Sequence, residues 1–136
     1  YDTYTYQGYG QYDHYTDRRQ SAIYGTYTQT IGQYQQAYLT PQTSEHKLDV
    51  DHLALSDGST TISFTMANPL TYQTIDPLDI ANASHWHELI PNETNTLILD
   101  AFMRGVGNGS NGPQTLDQYC VQENTDYHLQ YLIEIQ

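Results

Sequence analysis

The sequence predicts an all-β protein, with an antiparallel β-sandwich or jelly-roll-like domain over 47–136 and an extended tyrosine-rich N-terminal arm over 1–46. Three observations carry that expectation. The apolar residues divide unevenly: residues 1–46 hold ten of the fourteen tyrosines but only Ile23, Ile31 and Leu39 as large aliphatics. From Leu48 onward, short apolar–polar alternations are separated by turn residues. No stretch shows an uncontested helical period.

Taken in order, Tyr1 to Tyr12 mixes tyrosine with Thr, Gln and Gly and has no aliphatic mass to bury, so alone in water it is expected to be extended or disordered. Between Ser21 and Leu39 two patterns compete. Ile23, Tyr27, Ile31, Tyr34 and Tyr38 fall at helical spacings, whereas Tyr24, Thr26, Thr28 and Thr30 alternate. Strand is favoured, because Gly25 and Gly32 each cost a helix about 1 kcal/mol and Thr and Tyr suit a pleated surface. Pro41 ends the segment, and Gln42-Thr43-Ser44-Glu45 is the linker. Leu48, Val50, Leu53 and Leu55 then face Ile62, Phe64 and Met66 across a hairpin turned by Asp57-Gly58. Asn68-Pro69 is expected to break the second strand, with irregular structure to Ile90 and one helical turn at Asp76–Ile80. Thr96 to Met103 reads as a buried strand, Gly105 to Pro113 as a loop and Gln118 to Val121 as a further strand. The last strand is the cleanest: Tyr127, Leu129, Tyr131, Ile133 and Ile135 share one face.

Composition narrows the partners. The net charge of -12, with Arg18, Arg19, Lys47 and Arg104 as the fixed cations, argues against nucleic acid and anionic membrane surfaces. No apolar run reaches the about eighteen residues of a membrane span, and no basic start followed by an apolar block marks a signal peptide. Cys120 is the single cysteine, best read as a buried inert thiol. Asn82, Asn92 and Asn108 each open a glycosylation sequon. With scarce lysine, abundant Thr, Gln, Asn and Tyr, strong acidity and a start at Tyr1, these place the expected product outside the cell or on its surface.

Candidate chemistry is sparse. His85 and His87 would project to one face of a strand at a spacing that suits a transition metal, and the pair resembles the His-x-His start of the cupin metal motif. The glutamate, glycines and second motif of that family are missing, so surface histidines around a packed Trp86 are the favoured reading, with no metal and no cofactor expected. Asp49, Asp51 and Asp57 offer carboxylates for calcium or for a glycosidase pair, but a solvated acidic strand face is the favoured account. No nucleophile elbow is present and Cys120 has no adjacent signature, so no catalytic residue is assigned.

The arm is poor in aliphatics but rich in tyrosine, and burying one tyrosine against a ready-made groove is worth roughly 4 to 6 kcal/mol gross. Order in the arm therefore requires a partner surface, and an unpaired sheet edge is one. The arm from Tyr1 to about Leu39, with the β-patterned remainder, resembles the pilus-like β-sandwich filament subunits that assemble by donor-strand exchange. In that group an N-terminal extension of one subunit completes the sheet of the next. The resemblance implies a non-enzymatic extracellular homopolymer, with Tyr4, Tyr6, Tyr9, Tyr12 and Tyr15 as inserted or stacking contacts. The face of Tyr127, Leu129, Tyr131, Ile133 and Ile135 would form part of the receiving core. The alternatives are a secreted carbohydrate-binding sandwich with acidic calcium loops and a metal-dependent enzyme centred on His85 and His87.

Overall fold

The computed structural model describes residues 1–73, 76–90, 95–108 and 111–136, with 67–73 described through the backbone alone. The strands are β1 (Thr3–Tyr9), β2 (Tyr24–Thr30), β3 (His46–Ser56), β4 (Thr61–Gln73), β5 (Thr96–Leu99) and β6 (Leu132–Ile135). All their pairings are antiparallel, in the order β2-β1-β3-β4-β5, with β6 beside the opening half of β4. The fold is all-β and sandwich-like, with one short helix, α1 (Pro77–Asn82), whose first turn is capped by the Asp76 carboxylate accepting from Leu78 N at 2.8 Å.

Cross-strand register builds the core from two rows of side chains on one sheet face. One row runs Tyr27, Tyr6, Leu53, Phe64, Ile133; the other runs Gln29, Tyr4, Leu55, Ile62, Ile135. Burial is complete in the middle, with Tyr6 and Leu53 at 0 % exposure and Tyr4 at 1 %. Leu97 and Leu99 of β5 pack against the same cluster. On the opposite face the partners are polar, such as Thr5 and Thr28, whose hydroxyls meet at 2.9 Å.

The first strand therefore completes its own sheet. Both of its edges are occupied, by β2 and β3, and no ladder remains to donate to a neighbour. Two buried tyrosines are worth about 8 to 12 kcal/mol gross, against roughly 7 to 14 kcal/mol for ordering the seven residues of β1, and the ladders on both sides tip the balance. The ready-made groove that tyrosine burial requires is present within the chain.

In β3 the apolar phase changes from Leu48 and Val50 to Leu53 and Leu55, and the pairings with β1 and β4 shift register around Val50. Asp49 takes φ 48° at this irregularity. Gly8 makes the close approach of β1 feasible, because a Cβ there would lie 3.0 Å from Leu48 O and 3.1 Å from Val50 Cγ2.

Several local expectations need correction. Pro69 does not end its strand: β4 continues to Gln73, and Pro69 falls between the Asn68 and Leu70 pairings where the ladder shifts, so its missing N–H is tolerated. Asp117–Tyr119 forms a 3₁₀ turn rather than a strand, and His85 leads into another at Trp86–Glu88. The last strand is confined to Leu132–Ile135, with all four side chains exposed.

Candidate functional site

The densest polar cluster lies where β3 begins, beneath the turn at 11–15. Asp13 Oδ1 accepts from the His46 backbone N–H at 2.8 Å and lies 2.6 Å from His46 Nδ1, while Asp13 Oδ2 accepts from the Tyr38 hydroxyl at 3.2 Å. Burial alone would raise the Asp13 pKa, but the His46 contacts outweigh it and hold the carboxyl below its ordinary value. The Tyr15 ring packs at a tilt against His46, with centroids 4.8 Å apart, and burial together with Asp13 raises the Tyr15 pKa. His14 is 6 % exposed, and burial with the nearby Lys47 charge lowers its pKa.

Lys47 and Glu45 are fully buried next to this cluster. The Lys47 ammonium donates to Gln11 O at 2.6 Å and Tyr12 O at 3.3 Å and sits near the Tyr6 and Tyr34 rings. Burial brings its pKa down to about 8 despite the Glu45 charge. Glu45 Oε1 accepts from Tyr34 N at 2.7 Å, Glu45 Oε2 has no hydrogen-bond partner, and burial raises the Glu45 pKa. These groups are enclosed, so the cluster acts as a clasp between the turn at 11–15, the segment at 34–45 and β3.

A second clasp fixes the glycine-rich loop. Asp17 accepts from Val106 N at 3.1 Å and Gly107 N at 2.7 Å, and Arg18 donates to Gly107 O at 2.6 Å and to Asn108 Oδ1. Nothing local in the sequence marks this pair, because its partners lie about ninety residues away.

The residues singled out from sequence scatter. Tyr4 and Tyr6 are core residues; Tyr9 meets the Tyr24 ring edge-on at 5.3 Å; Tyr12 is 58 % exposed beside Tyr34; Tyr15 belongs to the polar cluster. Tyr127 packs near Phe102 at 5.1 Å, whereas Leu129, Tyr131, Ile133 and Ile135 are exposed. Asn82 ends α1 and is exposed, Asn108 is exposed and bonded to Arg18, and Asn92 lies outside the described residues. Cys120 is half-buried, with its thiol 3.6 Å from Leu116 O.

The metal and carboxylate candidates are engaged elsewhere. His85 and His87 lie at a 3₁₀ turn, not on a strand; their rings stack at 5.4 Å, and His85 Nδ1 is 3.0 Å from Glu88 Oε1. Among the described residues no group of three or more His, Cys, Asp or Glu converges. Asp49 pairs with Arg19 at 2.9 Å and Asp51 accepts from Tyr24. Asp57 is held at about 2 by the Thr60 and Ser59 N–H groups and the Ser59 hydroxyl. Asp57, held low by its own turn, is the opposite of the raised carboxyl that a glycosidase acid requires.

Comparison with known proteins supplies the context. Residues 1–133 match the family described as beta galactosidase small chain. A beta-galactosidase of Actinobacillus pleuropneumoniae is 28% identical over 127 residues, covering 90% of this chain and 12% of that protein. One from Vibrio vulnificus strain YJ016 is 32% identical over 108 residues, covering 76% of this chain and 10% of that protein. One from Vibrio cholerae is 29% identical over 128 residues, covering 94% and 12%. The chain thus spans about a tenth of the length of these relatives.

These matches overturn the filament reading, its carbohydrate-binding alternative and the expectation of a non-enzymatic protein. The extracellular placement rested on composition and on that resemblance, and the family match withdraws it. The physical source of the error is that a tyrosine-alternating strand looks the same whether it completes a neighbour's sheet or its own. Matched along nearly its whole length, the chain belongs to the beta-galactosidase small chain family.

Proposed function

We propose that this chain works as the small-chain portion of a β-galactosidase, a glycoside hydrolase acting on β-linked galactosides, and that the catalytic carboxylates reside in the rest of the enzyme. The observation that carries this reading is the family match over residues 1–133 in a chain equal to only about a tenth of its relatives. The carboxylate chemistry supports it. A glycosidase needs one carboxyl kept protonated and a second kept ionised on opposite sides of a cleft. Asp13 is locked to His46, Asp49 to Arg19, and Asp57 to its own turn.

The test is hydrolysis of a nitrophenyl β-galactoside by the isolated chain, by the rest of the enzyme, and by the two co-expressed. Activity is expected in the co-expressed complex and not in the chain alone. Turnover by the isolated chain, or a complex that cleaves other glycosides and not β-galactosides, would overturn the proposal.

A further inference from the structure

The two core rows do not end where their cover ends. Along the first, Tyr6 and Leu53 are at 0 % exposure, Phe64 is half-buried and Ile133 is 48 % exposed; along the second, Tyr4 is at 1 %, Leu55 at 7 %, Ile62 half-buried and Ile135 at 70 %. One continuous apolar surface thus passes from a dry interior into solvent across four hydrogen-bonded strands. Tyr131, 44 % exposed with its ring 6.3 Å from Phe64, extends it. The outer edge of β6 has no neighbour among the described strands, so an unpaired backbone ladder lies beside bare Ile and Leu side chains. Such an edge is a strong template for association unless another polypeptide covers it.

We propose that the β4–β6 end of this sheet face is the docking surface for the rest of the β-galactosidase, which lays an apolar β-surface over Ile62, Phe64, Ile133 and Ile135 and pairs with the free edge of β6. The proposal rests on the reading of the chain as part of such an enzyme and names where the two parts meet. Two observations select this occupant. The relatives contain roughly eight to ten times the matched length, so a large body of polypeptide is available to cover the face. A second copy is disfavoured, because each chain carries a net charge of -12 with only four Lys and Arg, and Glu134 lies within β6 itself. The same charge calls for a partner surface rimmed by Lys and Arg.

The test uses the full 136-residue chain co-expressed with the rest of the enzyme, comparing wild type, Ile135→Lys, the Ile133→Lys/Ile135→Lys double variant and Ile23→Lys, which alters an apolar side chain 73 % exposed before β2. Sedimentation and surface-plasmon binding should show affinity falling at least about 100-fold in the double variant, with an intermediate loss in Ile135→Lys and none in Ile23→Lys, the scale expected when charges are buried unpaired in an apolar contact. Thermal melting of the free chains should stay within a few degrees, and β6 amides should gain hydrogen-exchange protection on assembly of the wild type. Wild-type affinity in the double variant, or a β6 that exchanges equally fast in the complex, overturns the inference while leaving the functional proposal standing. Dimers of the isolated chain abolished by the double variant, with assembly intact, also overturn it in favour of a second copy. A variant-sensitive complex that lacks galactoside hydrolysis keeps the docking surface and sinks the functional proposal instead.

Discussion

Asp13 holds His46 through two bonds, from the backbone N–H at 2.8 Å and from ring Nδ1 at 2.6 Å, and so fixes the first residue of β3 to the turn that follows β1. An ionised carboxylate offers only acceptors, which assigns the hydrogen to Nδ1. Both side chains are about nine-tenths buried. Replacing Asp13 by Asn leaves one oxygen for the three donors of His46 and Tyr38 and removes the charge, and should cost about 3 kcal/mol in urea unfolding. The pH sign follows from the direction of the shift. The folded Asp13 pKa lies below the unfolded value of 3.8, so its stabilisation is complete above that value and is lost as pH falls through the lower folded one. Wild type should therefore show a steeper loss of stability below about pH 4 than Asp13→Asn, and equal slopes would contradict the assignment.

Lys47 has the opposite sense. Its folded pKa of about 8 lies below the unfolded 10.5, so between those values the unfolded chain binds the extra proton and stability rises with pH, by at most about 1.4 kcal/mol per unit. Lys47→Met keeps the aliphatic stem against Tyr6 and Tyr34 and removes the titration. The wild type should gain on this variant between about pH 8 and 10, as measured by guanidinium midpoints at each pH. Above that range the buried tyrosines Tyr6 and Tyr15, whose pKa values are raised, oppose further gain.

What could be read from the chain follows from how local each signal is. The β3–β4 hairpin was legible, because alternation and Asp57-Gly58 both act over a few residues. So was the bulge, in retrospect: the three-residue step from Val50 to Leu53 breaks a two-residue period. The final alternation correctly placed Ile133 and Ile135 on one face, yet it carried no information about whether anything covers that face. The polar clasp was not legible at all. Asp13 and His46 are 33 residues apart, Asp17 and Gly107 90, and each residue alone looks like surface. The fate of β1 was hidden for the same reason, since its partners lie 15 (Tyr9 to Tyr24) to 53 (Thr3 to Ser56) positions away and pairing within a chain leaves no mark that pairing between chains would lack.

Gly8 and Gly58 separate two reasons for glycine. Gly58 sits in the β3–β4 turn at φ +90° with nothing within 4 Å of an added Cβ, so Gly58→Ala meets only backbone strain. A loss of about 1 kcal/mol is expected there, with no change elsewhere in the sheet. Gly8 has no positive φ, but an added methyl would press on Leu48 O at 3.0 Å and Val50 Cα at 3.2 Å, both backbone contacts that cannot swing aside. Gly8→Ala should therefore push β1 away from the bulge, cost more than the turn variant, on the order of 2 kcal/mol, and speed amide exchange at Tyr6 and Leu53 in the neighbouring pairs. If the two variants unfold at the same urea concentration, or if Gly8→Ala leaves Tyr6 protection unchanged, the close approach of β1 to β3 is not what selects glycine at this position.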